Sequence, residues 1–376
     1  MEGGFMKGTF FCVAVLLASW LQPAAVLAAA APGASLQKAK QDAEAKGYVF
    51  LTSHDEIVER AKKEGKLRVL SAQDPSSIKA MTAAFKQKYP FIDVRPEHVD
   101  GTEVYQRMLQ EMKAGLAKWD VNYLAPDYYP EYMPYQKKLD MLGMAQHGVL
   151  QMPPNLVDPV NRHVVALQSN IQIVAYNKEL ITPDKVPGSW EDFLKPEFKD
   201  RKFATEVRPK TFAALIPAWG IEKTLDFAKK IAAQKPIWLR GEALIVTYLM
   251  AGQYPVTMGS NYRTTVRLKA KDVRGILGHK IIEPVPTRLS ETQAVLATAE
   301  SPYAGLLWLE FQASPEGQKV LDDADLAASL FAPGSAHEQV TRGKKLSVVA
   351  WEHYLKMASY EEQTIRALGF PRAEKK

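Results

Sequence analysis

The stretch Val164-Val165-Ala166-Leu167-Gln168-Ser169-Asn170-Ile171-Gln172-Ile173-Val174-Ala175-Tyr176 decides the fold. Its two apolar halves each read as a strand, and the polar interruption Gln168-Ser169-Asn170 is where a hinge crossing between two sheets is expected. Upstream, Ser53-His54-Asp55-Glu56 has capping-box spacing and opens a helix to Glu64, which Gly65 ends. Leu67-Arg68-Val69-Leu70 reads as a strand, and Pro75-Ser76-Ser77-Ile78 starts a helix running through Met81 and Phe85. A second strand follows at Phe91-Ile92-Asp93-Val94, a helix over Gly101–Ala117 and a third strand at Trp119–Leu124. Downstream, strands are expected near Lys202–Thr205 and Tyr254–Met258, with helices near Phe212–Trp219, Ile221–Ala233 and Glu242–Ala251. Ile281-Ile282-Glu283-Pro284-Val285 reads as a strand returning to the first sheet. Helices near Pro302–Ala313 and Pro315–Asp322 and a helical tail from Ser347 to Leu368 close the chain. Strands alternating with helices predict an α/β protein with mostly parallel, helix-covered sheets.

The chain has 376 residues, 47% apolar and 24% charged, which excludes collagen-like and largely disordered classes. At roughly 150 residues per domain this length accommodates two cores. The formal charge of +6 is spread along the chain without a basic arm or stripe, so nucleic acid is not an expected partner. The surplus is a mild bias towards anionic ligands or surfaces.

Residues 1–31 read as a signal peptide. Lys7 precedes an apolar run from Thr9 to Val26, followed by the small-residue stretch Ala28–Ala31, with Met6 as an alternative start. Pro23 and the alanines favour cleavage over a retained anchor. The single cysteine, Cys12, lies inside the apolar run, where Phe10-Phe11 speak against lipidation. The mature chain would then have no cysteine for a disulfide, thiolate metal site or nucleophile.

The seven histidines are scattered without metal-ligand spacing, and no phosphate loop, dinucleotide turn or nucleophile elbow is present. Ser76-Ser77-Ile78-Lys79 matches S-x-x-K, in which a lysine one turn after a serine eases its deprotonation. Enzymes of that type also need S-x-N and K-T-G. Here Lys210-Thr211-Phe212 lacks the glycine and Ser169-Asn170 lacks the spacing. A helix start, with free backbone N–H groups beside Ser76 and Ser77, accounts for the motif better. An extracytoplasmic serine acyl enzyme using Ser76 and Lys79 stays as a distant alternative.

Four further stretches carry a resemblance: Ala175-Tyr176-Asn177-Lys178-Glu179-Leu180, Ser189-Trp190-Glu191-Asp192-Phe193 through Lys202, Met250–Val256, and Ser314-Pro315-Glu316-Gly317 through Leu321. In their order and spacing they resemble the bacterial extracellular solute-binding proteins of ABC importers, in the ferric-iron-binding-protein-like branch, from about Ile57 to about Pro371. The resemblance implies a two-lobed periplasmic-binding-protein type 2 fold, each lobe a mostly parallel sheet flanked by helices, joined by crossing hinge strands. Residues 50–167 with 280–325 would form the first lobe, and 168–279 with 326–376 the second. A small molecule would be captured as the lobes close, then delivered to a membrane permease with its ATPase. The expected protein is a periplasmic monomer, not an enzyme, with no resident cofactor or metal. A sensory binding protein presenting its ligand to a receptor would read the same.

Ligands of open parallel sheets sit beyond the carboxyl ends of the strands, where helix N-termini offer free donors. That places Gln73, Asp74, Ser76 and Ser77 after the first strand, and Asp127 and Tyr128 after the third. Gln168 and Asn170 lie in the crossing, Arg208 and Thr211 at a helix start, and Asn261, Tyr262 and Arg263 after the Pro255–Met258 strand. The resemblance singles out Tyr262, because ferric-binding members carry two adjacent tyrosines there. Here Arg263 replaces the second, and the first-lobe loop lacks the histidine some of those members use. A cation a few ångströms from Fe³⁺ costs several kcal/mol even at an effective dielectric of about 20. Tyr128-Tyr129 could supply phenolates, but adjacent tyrosines on an aromatic-rich loop more often pack. Arg208 and Arg263 suit a phosphate, phosphonate, sulfonate or carboxylate. A small organic anion is therefore expected, with ferric iron as the alternative.

Overall fold

The computed structural model describes Met1 and residues 32–370; apart from Met1, the export segment expected over 1–31 lies outside the described residues. The strands are β1 (Lys66–Ser71), β2 (Asp93–His98), β3 (Val121–Tyr123), β4 (Val165–Asn177), β5 (Phe203–Glu206), β6 (Ile237–Leu239), β7 (Val256–Met258), β8 (Ser260–Asn261), β9 (Leu277–Lys280), β10 (Val285–Val295) and β11 (Leu346–Val349). They follow the order β2-β1-β3-β10-β4-β7-β5-β6, with β11 beside β10 and with β8 and β9 beside β4.

The crossing strand joins the two halves. From Val165 to Ile171, β4 runs antiparallel to β10. From Val174 to Asn177 it runs antiparallel to β9 instead. The change of partner follows Ile171, just beyond the expected hinge, because Gln168, Ser169 and Asn170 still pair with Ser290, Leu289 and Arg288. Ser169 is polar for a local reason: its buried Oγ accepts from the Leu330 N–H at 2.7 Å.

On one side of the crossing, β1 is parallel to β2 and β3. On the other, β5 is parallel to β6 and β7. Each sheet has its own core. Leu67, Val69, Phe85, Leu167, Trp308 and Phe311 pack in the first, and Val174, Trp190, Phe193, Phe203, Phe227 and Val256 in the second. The architecture is the expected α/β fold with two lobes. Local signals set its helices: Ser53 Oγ accepts from Glu56 N and Gly65, at φ 65°, ends the His54–Glu64 helix. Ser314 Oγ likewise caps the Pro315–Asp325 helix.

Three elements differ from the sequence reading. The second strand is shifted to Asp93–His98, because it pairs residue for residue with β1 from Lys66↔Asp93 onward. The returning strand starts at Val285 and continues to Val295, so it is a second crossing strand rather than a short return. Its alternating polar residues and Pro286 hide it from a periodicity count. Leu346–Val349 is a strand parallel to β10 rather than the start of the tail helix; sheet pairing outweighs local helix preference. The described part of the span 326–376, to residue 370, also divides in its packing. Ala327 and Ala328 belong to the first core, while Leu368 at the end of the Met357–Leu368 helix reaches the second.

Candidate functional site

A cavity of about 540 Å³ opens beside the crossing strands. Tyr105 and Tyr123 line it from the first lobe, Asn170 and Gln172 from β4, and Leu289 and Ser290 from β10. From the second lobe come Arg208 and Lys210 after β5, Glu242 at a helix start, Asn261 at the end of β8 and Arg263 after it. Asn261 ties these parts together. Its Oδ1 accepts from Thr264 N at 3.0 Å, capping the Tyr262–Ala270 helix, while its Nδ2 donates to Asn170 Oδ1 at 3.3 Å.

The lining is strongly cationic: Arg208, Lys210, Arg240, Arg263 and Arg288 stand against the carboxylates Asp100, Glu242 and Glu361. Two of the arginines are already engaged. Arg208 Nη2 donates to Glu206 Oε2 at 2.9 Å, and this partner helps hold the Glu206 carboxyl below its usual range against the effect of burial. Arg263 Nη2 donates to Asp74 Oδ2 at 2.7 Å, with Nη1 at 3.5 Å from Asp325 Oδ2. By contrast, neither the Lys210 ammonium nor the Arg288 guanidinium forms a hydrogen bond or ion pair with a described residue. Burial, then the charges of Arg288 and Arg208, push the Lys210 ammonium down from its usual range. Burial pushes Glu242 up, and its Oε1 accepts from Gln172 Nε2 at 3.3 Å. Gln172 Oε1 and Ser290 Oγ are buried without a protein partner, so the wall offers an acceptor and a hydroxyl for a bound molecule.

Of the residues expected from the sequence, Asn170, Arg208, Asn261 and Arg263 line the cavity. The others do not. Gln73 is buried, its Nε2 donating to Gln312 Oε1 at 2.8 Å. Asp74 is committed to Arg263 and Arg267. Ser76 is exposed on the Pro75–Lys88 helix, as is Lys79, which lines a separate groove with Pro75, Ile78 and His98 rather than this cavity. Ser77 is buried with its hydroxyl unpartnered. Asp127 lies in the single turn Pro126–Tyr128, and the Tyr128 hydroxyl accepts from Gln106 Nε2 at 2.9 Å. Gln168 is buried in β4 beside Ser290 of β10, with its Nε2 unpartnered. Thr211 packs on Gly259, where a Cβ would come within 2.2 Å of its Oγ1.

Tyr262 lies outside the cavity lining. Its ring packs between His279 and His337, each centroid 5.7 Å away, in an apolar cluster with Ile171, Ile173 and Val285. Burial pushes its phenol up from the usual range, which disfavours a phenolate. The sequence reading missed Lys210, Glu242, Arg288 and Ser290. Lys210 was within reach, lying between the chosen Arg208 and Thr211; Arg288 and Ser290 required β10 to be recognised as a strand.

A pair of sheets joined by crossing strands, with a polar cavity at the junction, defines a two-lobed solute-binding protein. The chain belongs to the family described as bacterial extracellular solute-binding protein, whose model matches residues 128–356. It is an extracellular solute-binding component of an ABC transporter, and this family and its structural neighbours are binding proteins rather than enzymes. No curated protein matches the sequence. Among solved structures, the apo ferric ion-binding protein A of Pasteurella haemolytica is similar at TM-score 0.64 and 17% identity, covering 83% of this chain and 100% of that one. An ABC-transporter substrate-binding protein of Agrobacterium tumefaciens aligns at TM-score 0.61 and 20% identity, covering 81% and 95%. A structure described as a GABA receptor aligns at TM-score 0.62 and 15% identity, covering 83% and 100%. At these identities the likeness is one of fold.

Proposed function

We propose that the chain is a periplasmic solute-binding protein, its leader removed on export, that captures a small organic anion and delivers it to a membrane permease with its ATPase. The observation that carries this reading is the pair Lys210 and Arg288, two cations of the cavity wall that form no ion pair among the described residues, in a lining where cations outnumber the carboxylates Asp100, Glu242 and Glu361. Burial and the neighbouring arginines disfavour the Lys210 ammonium, and a ligand bringing negative charge would relieve that. A phosphonate, sugar phosphate or carboxylate would supply it and accept from Arg288 in bidentate fashion. The volume of about 540 Å³ suits a molecule of that size.

Ferric iron is the competing solute, because ferric-binding proteins share the fold. Against it stand the position of Tyr262 outside the cavity lining, the cationic wall, and the lack, among the described residues, of any group of three or more His, Cys, Asp or Glu able to hold a metal. Calorimetric titration of ligand-stripped protein with organophosphonates, sugar phosphates and dicarboxylates, and separately with Fe³⁺–citrate, tests the proposal. Saturable heat with one of the anions is expected. Heat with Fe³⁺–citrate alone would overturn the anion reading in favour of iron.

A further inference from the structure

Asp325 ends the Pro315–Asp325 helix and its side chain is only 3% exposed. Its ion-pair partners are Arg263 and Arg267, one turn apart on the Tyr262–Ala270 helix. The same two arginines reach Asp74, at 2.7 Å and 3.5 Å, and Asp74 precedes the Pro75–Lys88 helix. The two acids thus come from helices that pack on one another beside the first sheet, and the two arginines from a helix packed on β8, β9 and the second half of β4. We propose that Asp74, Asp325, Arg263 and Arg267 form a latch between the lobes that holds them together at the cavity edge before any solute arrives.

An exposed ion pair contributes little, but the Arg263–Asp325 half of this cluster is buried. Arg263 is 16% exposed and Asp325 3%, so drawing the arginines away leaves a buried carboxylate without its cations or forces it into water. Asp74 is also held in place from behind. Glu291 Oε1 accepts from Ser71 Oγ at 2.8 Å and from Ala72 N at 3.2 Å, and the amides of Gln73, Gln312 and Gln293 form a buried ladder ending on the same oxygen. The second crossing strand therefore fixes the loop that presents Asp74, and Asp74 grips the opposite lobe. Arg263 lines the cavity as well, which places the latch beside the captured molecule.

The test needs no solute, so its result is independent of whether the ligand is an anion or iron. Small-angle scattering and hydrogen–deuterium exchange are measured on the ligand-stripped mature protein and on Asp74→Asn, Arg263→Gln, Arg267→Gln and the Asp74→Asn/Arg263→Gln double variant. Arg267 is 43% exposed, so its replacement keeps the fold intact even if a buried change does not. Expected are a larger radius of gyration in each single variant and about tenfold faster exchange in residues 71–74 and 262–270. The double variant should expand no further than either of its parents. Scattering and exchange identical to the wild type in Asp74→Asn and Arg267→Gln, or additive expansion in the double variant, would overturn the latch.

Discussion

Glu291 offers the sharpest energetic test of how the crossing strands are built. It is 4% exposed, it sits at φ 51°, and its Oε1 collects the Ser71 hydroxyl, the Ala72 N–H and the Gln293 amide. Burial outweighs those donors and pushes the carboxyl from 4.5 up to about 7. The folded chain therefore keeps this proton up to about pH 7, while the unfolded chain releases it near 4.5. Between those values the folded state binds more protons, so this group's contribution is complete below about pH 4.5, falls as pH rises through 7, and then levels off. At 1.36 kcal/mol per pH unit the loss amounts to about 3 kcal/mol. Glu291→Gln keeps the accepting oxygen and copies the neutral acid. Urea unfolding followed by tryptophan fluorescence at pH 5, 6, 7 and 8 should show variant and wild type close together at pH 5. The variant should then gain progressively, to about 3 kcal/mol at pH 8. Parallel stability curves from pH 5 to 8, or a variant that loses ground, would show that Glu291 is not held neutral by its surroundings.

Three substitutions probe the cavity by calorimetry with the anion that gives heat. Lys210→Met and Arg288→Met should each weaken binding by about 10- to 100-fold, the range expected for a lost hydrogen bond to a charged group; affinities within twofold of wild type would remove that residue from the site. Tyr262→Phe should leave anion affinity unchanged, since its ring packs between His279 and His337 away from the cavity lining. A tenfold loss would place the phenol at the ligand.

The fold was legible where local chemistry and tertiary structure agree. The crossing segment is apolar in both halves because β4 is buried on both sides of the switch. The Ser189–Lys202 stretch that carries the family resemblance turns out to be structural: Trp190 Nε1 donates to Pro284 O at 2.9 Å, and Phe193 packs 5.0 Å from Phe203. Such residues announce a fold and say nothing of the solute. β10 escaped because its inward polar groups, Glu291 and Gln293, are satisfied by side chains distant in sequence, Ser71 and Gln312. No window of local sequence reveals those partners.

The site was legible as a set of cations and illegible as a balance of charge. Arg263 carries the same formal charge as Arg288, but among the described residues the first pairs with two carboxylates and the second forms no ion pair. A cation whose counter-charge is supplied by the opposite lobe bears on lobe closure; one whose counter-charge is missing bears on the ligand. Sequence order cannot separate the two, because Asp74 and Asp325 lie far from Arg263 in the chain. For that reason Lys210 and Arg288, rather than the Arg208 and Arg263 that first suggested an anion, point to one, and they would do so even if Arg263 served the latch alone.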